Sequence, residues 1–213
     1  MLLSEDKRNE ALRILSELYP NPRPELIYSS PFELLVAVML SAQCTDKQVN
    51  KVTAELFKAA NTPEGILALG EEKLMDMIHS CGFFRMKGKH ILETSRILVE
   101  RYGGQVPADR DALTELPGVG RKTANVVVSN AFHIPAIAVD THVFRVSNRI
   151  GLAQAKTVER TEEQLMAHIP EKDWTDAHHW IIFHGRRVCA AQRPKCADCA
   201  LNQVCDYYTR KEQ

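Results

Sequence analysis

The chain has 213 residues, 45% hydrophobic and 25% charged, enough for one large globular domain or two small ones. Basic and acidic residues balance at 27 each, so the totals offer nothing to a polyanion, and any surface for one must be local. The longest apolar run, 34–40, is far too short to span a bilayer, and the N-terminus turns polar after three residues, so neither a membrane span nor a secretory leader is expected.

Helical periodicity governs nearly all of the sequence. Ser4, followed by Glu5 and Asp6, starts a helix whose apolar stripe is Ala11, Leu12, Leu15, Leu18 and Tyr19. Prolines at 20, 22 and 24 then force an extended connection. Ser30-Pro31-Phe32-Glu33 reads as a capping box with proline at the first helical position. The helix it opens is apolar on every side, the pattern of a helical domain's centre. Thr45-Asp46 caps another, with Val49, Val52, Thr53, Leu56, Phe57 and Ala60 on one face. Thr62-Pro63 and Gly70 bracket a short helix, and 71–80 makes the next, closed by Gly82. Ile91, Ser95, Leu98, Val99 and Tyr102 face inward from a helix ended by Gly103. A short helix over 109–115 leads into a glycine-rich turn, and helix resumes over 120–132 until Pro135 interrupts. Asp140 begins a helix carrying Val143, Val146 and Ile150 on one side, with Gly151 past its end; Thr157 and Asp173 start two more. No segment alternates convincingly as a strand, 136–139 being too short, so an all-α fold is expected.

The turn is Leu116-Pro117-Gly118-Val119-Gly120-Arg121-Lys122. Its glycines let the backbone bend sharply and present successive amides, and the helix that follows adds its own amides and the positive end of its dipole. Together with Arg121 these fit one phosphate of a nucleic-acid backbone, without reading sequence. Lys122 stands in the first turn of that helix, where the dipole favours a neutral amine, the form a nucleophile needs. Read alone, it is as well explained as a phosphate-binding or solvent-facing lysine. Asp140 follows a short apolar run, 136–139, at the mouth of its helix. It reads as an N-cap, or, if it faces Lys122, as the carboxylate partner of a nucleophile.

Six cysteines are present, and four crowd the end of the chain as Cys189-x6-Cys196-x2-Cys199-x5-Cys205. Clustered thiols without a leader read as a metal or iron–sulfur site in a reducing compartment rather than a disulfide framework. Zinc modules use symmetrical close pairs; here one pair is close and the other two cysteines stand off unequally, which favours a [4Fe–4S] cluster. With all four ligands supplied by protein, a structural role is expected. Arg186, Arg187, Arg193 and Lys195 surround this segment with no acid between them, either as a solvated group or as a phosphate-contacting loop.

The hairpin Leu116–Asn125, the segment Val139-Asp140-Thr141-His142-Val143-Phe144-Arg145-Val146, the four-cysteine tail and Ser30–Asp46 together resemble the endonuclease III family, bacterial DNA glycosylases with abasic-site lyase activity, in the helix–hairpin–helix superfamily. The resemblance runs from about Ser30 to Cys205. It implies two helical domains with a DNA cleft between them: a barrel with the hairpin over 25–134, and a discontinuous cluster domain of 1–24 and 135–213. It implies Lys122 as nucleophile and Asp140 as its partner, with Cys189, Cys196, Cys199 and Cys205 holding a [4Fe–4S] cluster. Contacts to duplex DNA containing oxidised pyrimidines or abasic sites fall to Gln43, Phe83, Gly118, Val119, Gly120, Arg121, Arg186, Arg193 and Lys195. Gln43 matches the residue that fills the gap left by the departed base. Phe83 stands where the family has leucine, and Cys44 where it has alanine. A cytoplasmic, nucleoid-associated monomer is expected. The superfamily's adenine glycosylase lacks the lysine nucleophile and carries a further C-terminal domain, whereas only eight residues follow Cys205 here. Two readings from other classes remain at this stage: a non-catalytic DNA-binding module with a structural cluster, and an iron–sulfur electron carrier, which has no use for the hairpin or for a lysine–aspartate pair.

Overall fold

The structure, a computed structural model, describes residues 1–211 and divides into two compact units, one of Pro24–Ile134 and one of Met1–Arg23 with the chain from Pro135 onward. Among the described residues there are helices and no strand.

In chain order, α1 (Glu5–Leu18) belongs to the discontinuous unit. The continuous unit holds α2 (Pro31–Ser41), α3 (Asp46–Ala59), α4 (Pro63–Leu69), α5 (Glu71–Ile78), α6 (Phe84–Tyr102), α7 (Arg110–Thr114) and α8 (Arg121–Ala131). The discontinuous unit then resumes with α9 (Thr141–Ile150), α10 (Val158–His168), a 3-10 turn over Glu171–Asp173, α11 (Trp174–Arg187) and α12 (Asp206–Lys211).

The centre of the continuous unit is α2, whose residues from Phe32 to Leu40 are all buried; it packs against α3, α6 and α8. An all-round apolar helix can be stable in water only when neighbours cover every side, and each fully buried leucine contributes about 2 kcal/mol of transfer free energy. Ser30 caps α2 by accepting from the Glu33 amide at 3.2 Å. The reciprocal half of the expected box is shifted by one residue: Glu33 Oε2 accepts from the backbone N and the hydroxyl of Ser29, at 2.6 and 2.7 Å. Glu33 Oε1 accepts from Asn61, so this buried carboxylate is fully engaged.

The discontinuous unit has its own core, in which Ala11, Leu12 and Leu15 of α1 meet Val143, Val146 and Ile150 of α9 and Ala177, Trp180 and Ile181 of α11. Trp174 packs on the same core and donates its indole N–H to the Ile169 carbonyl at 2.9 Å. Leu18, placed on the inner stripe by its spacing, is exposed; the stripe ends at Leu15, and the buried Tyr19 closes the helix. No helix of the described residues is long and apolar enough to cross a membrane.

Candidate nucleic-acid interface and metal centre

The hairpin is a tight corner between α7 and α8. Gly118 has φ +76°, and a Cβ there would lie 2.6 Å from Nδ1 of His90 and 3.0 Å from its Cβ, so both backbone and space require glycine. Thr94 of α6 donates its hydroxyl to the Pro117 carbonyl at 3.1 Å, tying the corner to the unit's interior. Gly120 is the N-cap of α8 with ordinary extended backbone, and a Cβ there would meet nothing within 4 Å. No side chain caps α8, so the N-terminus of this helix opens onto space. Arg121 and Lys122 are both exposed in its first turn.

Val119 turns inward at this corner. Its side chain is 5% exposed and its N–H donates to the Leu116 carbonyl at 3.1 Å. Val119 and the buried Leu116 are the apolar plug of the corner.

Gln43 and Phe83 are both exposed, and both hold left-handed backbone, with φ of 52° and 58°. Phe83 is the N-cap of α6 and is 61% exposed, unusual for an unpartnered phenyl ring. Among the described non-glycine residues only Asn21, Gln43, Phe83, His133 and Arg193 have positive φ, and three of these five are positions singled out for DNA contact. Such conformations cost roughly 1–3 kcal/mol each and persist where function holds them. The segments bearing Gln43 and Phe83 touch, since a Cβ on Gly82 would lie 3.3 Å from the Gln43 carbonyl oxygen. Lys87 of α6 is buried and donates its ammonium to the Leu40 carbonyl at 2.7 Å, capping the end of α2 just before Gln43. Burial lowers its pKa, opposed by the neighbouring Cys81 and Cys44 thiols.

Asp140 stands in the other unit. It is the N-cap of α9, half-buried, with Oδ1 accepting from the Val143 amide at 2.7 Å. The apolar residues before it, Ala136–Val139, are buried. Lys122 thus belongs with the hairpin to one unit, and Asp140 and the four cysteines belong to the other.

Cys189, Cys196, Cys199 and Cys205 line one small cavity together with Arg149, His184 and Tyr207. Cys189, Cys199 and Cys205 also pack against the unit's core. Among the described residues no three His, Cys, Asp or Glu side chains converge closely enough to hold a single ion. Burial raises the pKa of Cys199 and Cys205, while the Leu201 amide at Cys199 and the Tyr208 and Tyr207 amides at Cys205 pull the other way. Such amide donors are the hydrogen bonds that a metal-bound thiolate uses. His184 is buried, with Nε2 3.5 Å from the Cys199 sulfur and Nδ1 3.2 Å from the Tyr19 hydroxyl; burial lowers its pKa to about 4.

Two arginines that the sequence reading passed over brace this loop. Arg145 reaches the Cys189 carbonyl through Nε at 3.2 Å and Nη2 at 3.0 Å, and the Gly185 carbonyl through Nη2 at 3.0 Å. Arg149 donates to the Ala190 and Ala191 carbonyls at 2.7 and 2.9 Å, approaches the Cys189 sulfur at 3.6 Å and lies over the Tyr207 ring. Their separation by four residues on one helix put them on one face, a signal available in the sequence. Arg186, Arg193 and Lys195 are exposed. Arg187, grouped with them as a cation, instead lies over the rings of Phe183 and Tyr19 at 4.8 and 5.5 Å.

A glycine corner opening a helix with paired cations, two left-handed protruding residues and a four-cysteine loop define a helix–hairpin–helix DNA repair fold. Residues 36–171 match the family described as HhH-GPD superfamily base excision DNA repair protein. Endonuclease III of Escherichia coli strain K12 is 51% identical over 205 residues, covering 96% of this chain and 97% of that protein. Endonuclease III of Bacillus subtilis strain 168 is 53% identical over 192 residues, covering 90% and 88%. A solved trapped endonuclease III–DNA covalent intermediate, an estranged-adenine complex, superposes with a TM-score of 0.94 at 46% identity over 100% of both chains. The chain belongs to the endonuclease III family of base excision DNA repair enzymes.

Proposed function

We propose that this chain removes oxidised pyrimidines from duplex DNA and then nicks the strand at the resulting abasic site, with Lys122 as nucleophile and Asp140 as its carboxylate partner. The observation that carries this reading is the hairpin itself: Gly118 turns the chain, Gly120 leaves the end of α8 open, and Lys122 stands exposed one residue into that helix. A relative trapped as a covalent DNA intermediate supports the same chemistry.

The damaged base must leave the stack to be reached. Gln43 enters the space it vacates, and Phe83 is a second wedge, its apolar ring suited to unstacking a base step. The open N-terminus of α8 with Arg121 holds a phosphate, and Arg186, Arg193 and Lys195 hold others. The neutral Lys122 amine attacks C1′ of the deoxyribose, and the C1′–N bond breaks with its electron pair going to the departing base. Asp140 stabilises the cationic character that develops at the sugar. Ring opening gives the Schiff base. Loss of a proton from C2′ then pushes electrons into the imine and expels the 3′ phosphate. Each step after attack needs nitrogen at position 122, since a hydroxyl cannot form an imine.

Cys189, Cys196, Cys199 and Cys205 hold a [4Fe–4S] cluster in this reading. Supporting it are the cavity that all four cysteines line, the amides at two of the sulfurs, and the unequal spacing. Bound there, the cluster supplies four metal–thiolate links that fix the basic loop, and the protein fills its ligand positions. The enzyme works as a monomer on nucleoid DNA.

Borohydride trapping tests the mechanism on three duplexes: one with an oxidised pyrimidine, one with an abasic site and one undamaged. A covalent product with the first two, lost in Lys122→Ala, is the expected result. Trapping with abasic DNA alone rejects oxidised pyrimidine as the base substrate. No product with either, from protein that binds both duplexes, refutes the lysine mechanism and leaves a binding module.

A further inference from the structure

Gln43 and Phe83 sit on two segments that share one buried cation. Lys87 is 5% exposed, and its ammonium donates to the Leu40 carbonyl at 2.7 Å. Its backbone N–H donates to the Phe83 carbonyl at 3.1 Å, opening the hydrogen-bond ladder of α6. One residue therefore holds the backbone three positions before Gln43 and the backbone of Phe83 itself.

The way α2 ends explains why a partner is needed there. A helix leaves its last four carbonyls without intrahelical donors, and a left-handed glycine commonly turns the chain back to satisfy them. α2 has no such glycine: Ala42 is its C-cap, with φ −57° and ψ 115°, and the next residue, Gln43, is the left-handed one. Its carbonyls are met piecemeal. Val38 accepts from the Ser41 hydroxyl at 2.7 Å, Ser41 from the Cys44 amide at 3.1 Å, and Leu40 from Lys87. The first two donors are local; the third comes from α6. A helix C-terminus favours a cation, but a buried ammonium is costly to desolvate, and a glycine would end α2 without that cost. What Lys87 adds over a glycine is a link between segments. A second link crosses the same gap: Gln48, in the first turn of α3, donates from Nε2 to the Ser80 hydroxyl at 2.8 Å. Between the two links, a Cβ on Gly82 would lie 3.3 Å from the Gln43 carbonyl oxygen, and Gln43 and Phe83 stand exposed.

We infer that Lys87 is a positioning residue that holds Gln43 and Phe83 as one two-pronged unit, so that both enter the DNA stack in a fixed relation. The inference rests on the DNA-contact reading given above. Left-handed backbone at 43 and 83 is not a state that these side chains favour unaided, and it persists where the surroundings fix it. Without the ammonium, the Leu40 carbonyl loses its donor and the segment carrying Gln43 is released from α6. A misplacement of about 1 Å in a positioning group can cost about a hundredfold in rate. The open end of α8 and Arg121 keep their phosphate contacts, so the loss falls on base extrusion rather than on duplex binding.

The test uses the full, metal-loaded chain. Lys87→Met keeps the stem and removes the ammonium; Lys87→Gln keeps a neutral donor on a shorter arm. On a duplex carrying an oxidised pyrimidine, three quantities are measured: the dissociation constant, the single-turnover rate of base release, and the fluorescence of a 2-aminopurine beside the lesion, which rises on unstacking. Gln43→Ala, Phe83→Ala and the double variant of Lys87→Met with Gln43→Ala are run alongside. The expected result for Lys87→Met is near-normal duplex binding, base release slowed about ten- to a hundredfold, and a matching loss of the fluorescence rise. The double variant should be no slower than the slower of its parents, since both changes disable one device. Wild-type release by Lys87→Met, losses that multiply in the double variant, or duplex binding that falls in step with release would each overturn the inference. If Lys87→Met melts below the assay temperature, Lys87→Gln is judged by the same criteria; loss of the fold in both makes Lys87 a folding residue and overturns it too. If Gln43→Ala and Phe83→Ala both release the base at the wild-type rate, the DNA-contact reading is what has failed, and the inference falls with it.

Discussion

The two glycines of the hairpin should fail in opposite ways when each is replaced by alanine. At Gly118 the new side chain meets two costs. Left-handed backbone costs an L-residue about 1–2 kcal/mol, and a Cβ at 2.6 Å from His90 Nδ1 forces the ring to move, which by the usual scale of overpacking costs about 1–3 kcal/mol. The sum, about 2–5 kcal/mol, lowers the melting temperature by roughly 5–15 °C in a protein of this size. At Gly120 neither cost applies, since φ is −90° and nothing lies within 4 Å. Gly120→Ala should leave stability unchanged or raise it by about 0.5 kcal/mol, yet weaken duplex binding, because its methyl occupies the space through which a phosphate approaches α8. Circular-dichroism melting and fluorescence anisotropy on one labelled duplex separate the two effects. Combining Gly118→Ala with His90→Ala should recover the steric part and leave the conformational part of about 1–2 kcal/mol. Refutation would be Gly118→Ala melting like the wild type, a double variant no better than the single one, or Gly120→Ala binding DNA normally.

Two further outcomes follow from the discontinuous unit. His179 is buried, and burial, with Arg186 nearby, lowers its pKa from 6.5 to about 4. The unfolded chain takes up this proton below pH 6.5 and the folded chain only near 4, so His179 leaves stability intact above 6.5 and erodes it as the pH falls through that window. At about 1.4 kcal/mol per pH unit the loss from this group has a ceiling of about 3 kcal/mol; urea titrations at pH 7 and 4.5 should show it, and His179→Gln should shrink the difference by that share, leaving the part due to His184. Arg145→Ala strips the Cys189 and Gly185 carbonyls of their donor and should cost about 2 kcal/mol and increase proteolytic nicking over 188–205. Equal nicking of variant and wild type would show that Arg145 does not hold the loop.

Most helices were legible because capping residues and apolar spacing agree along the chain. Ser30, Thr45, Thr62, Asp109, Asp140 and Thr157 all cap as their residue types imply. The six-residue α12 and the 3-10 turn were not read, being too short for periodicity to register. The hairpin was legible as a motif but not as an object. That Val119 turns inward and spends its amide on Leu116, or that His90 and Thr94 support the corner from α6, depends on packing between segments distant in sequence. The same holds for Lys87, whose acceptor lies 47 residues away.

The split unit sets an order of events during synthesis. The backbone amide of Leu3 is held by the Gly151 carbonyl, and the terminal amine of Met1 by Asp206. Helix α1 therefore has no home until α9 and α11 have emerged, whereas residues 24–134 can close around α2 before that. Through that interval α1 travels with Leu12 and Leu15 uncovered, and chains stalled between the two events are the ones that chaperones and proteases will meet.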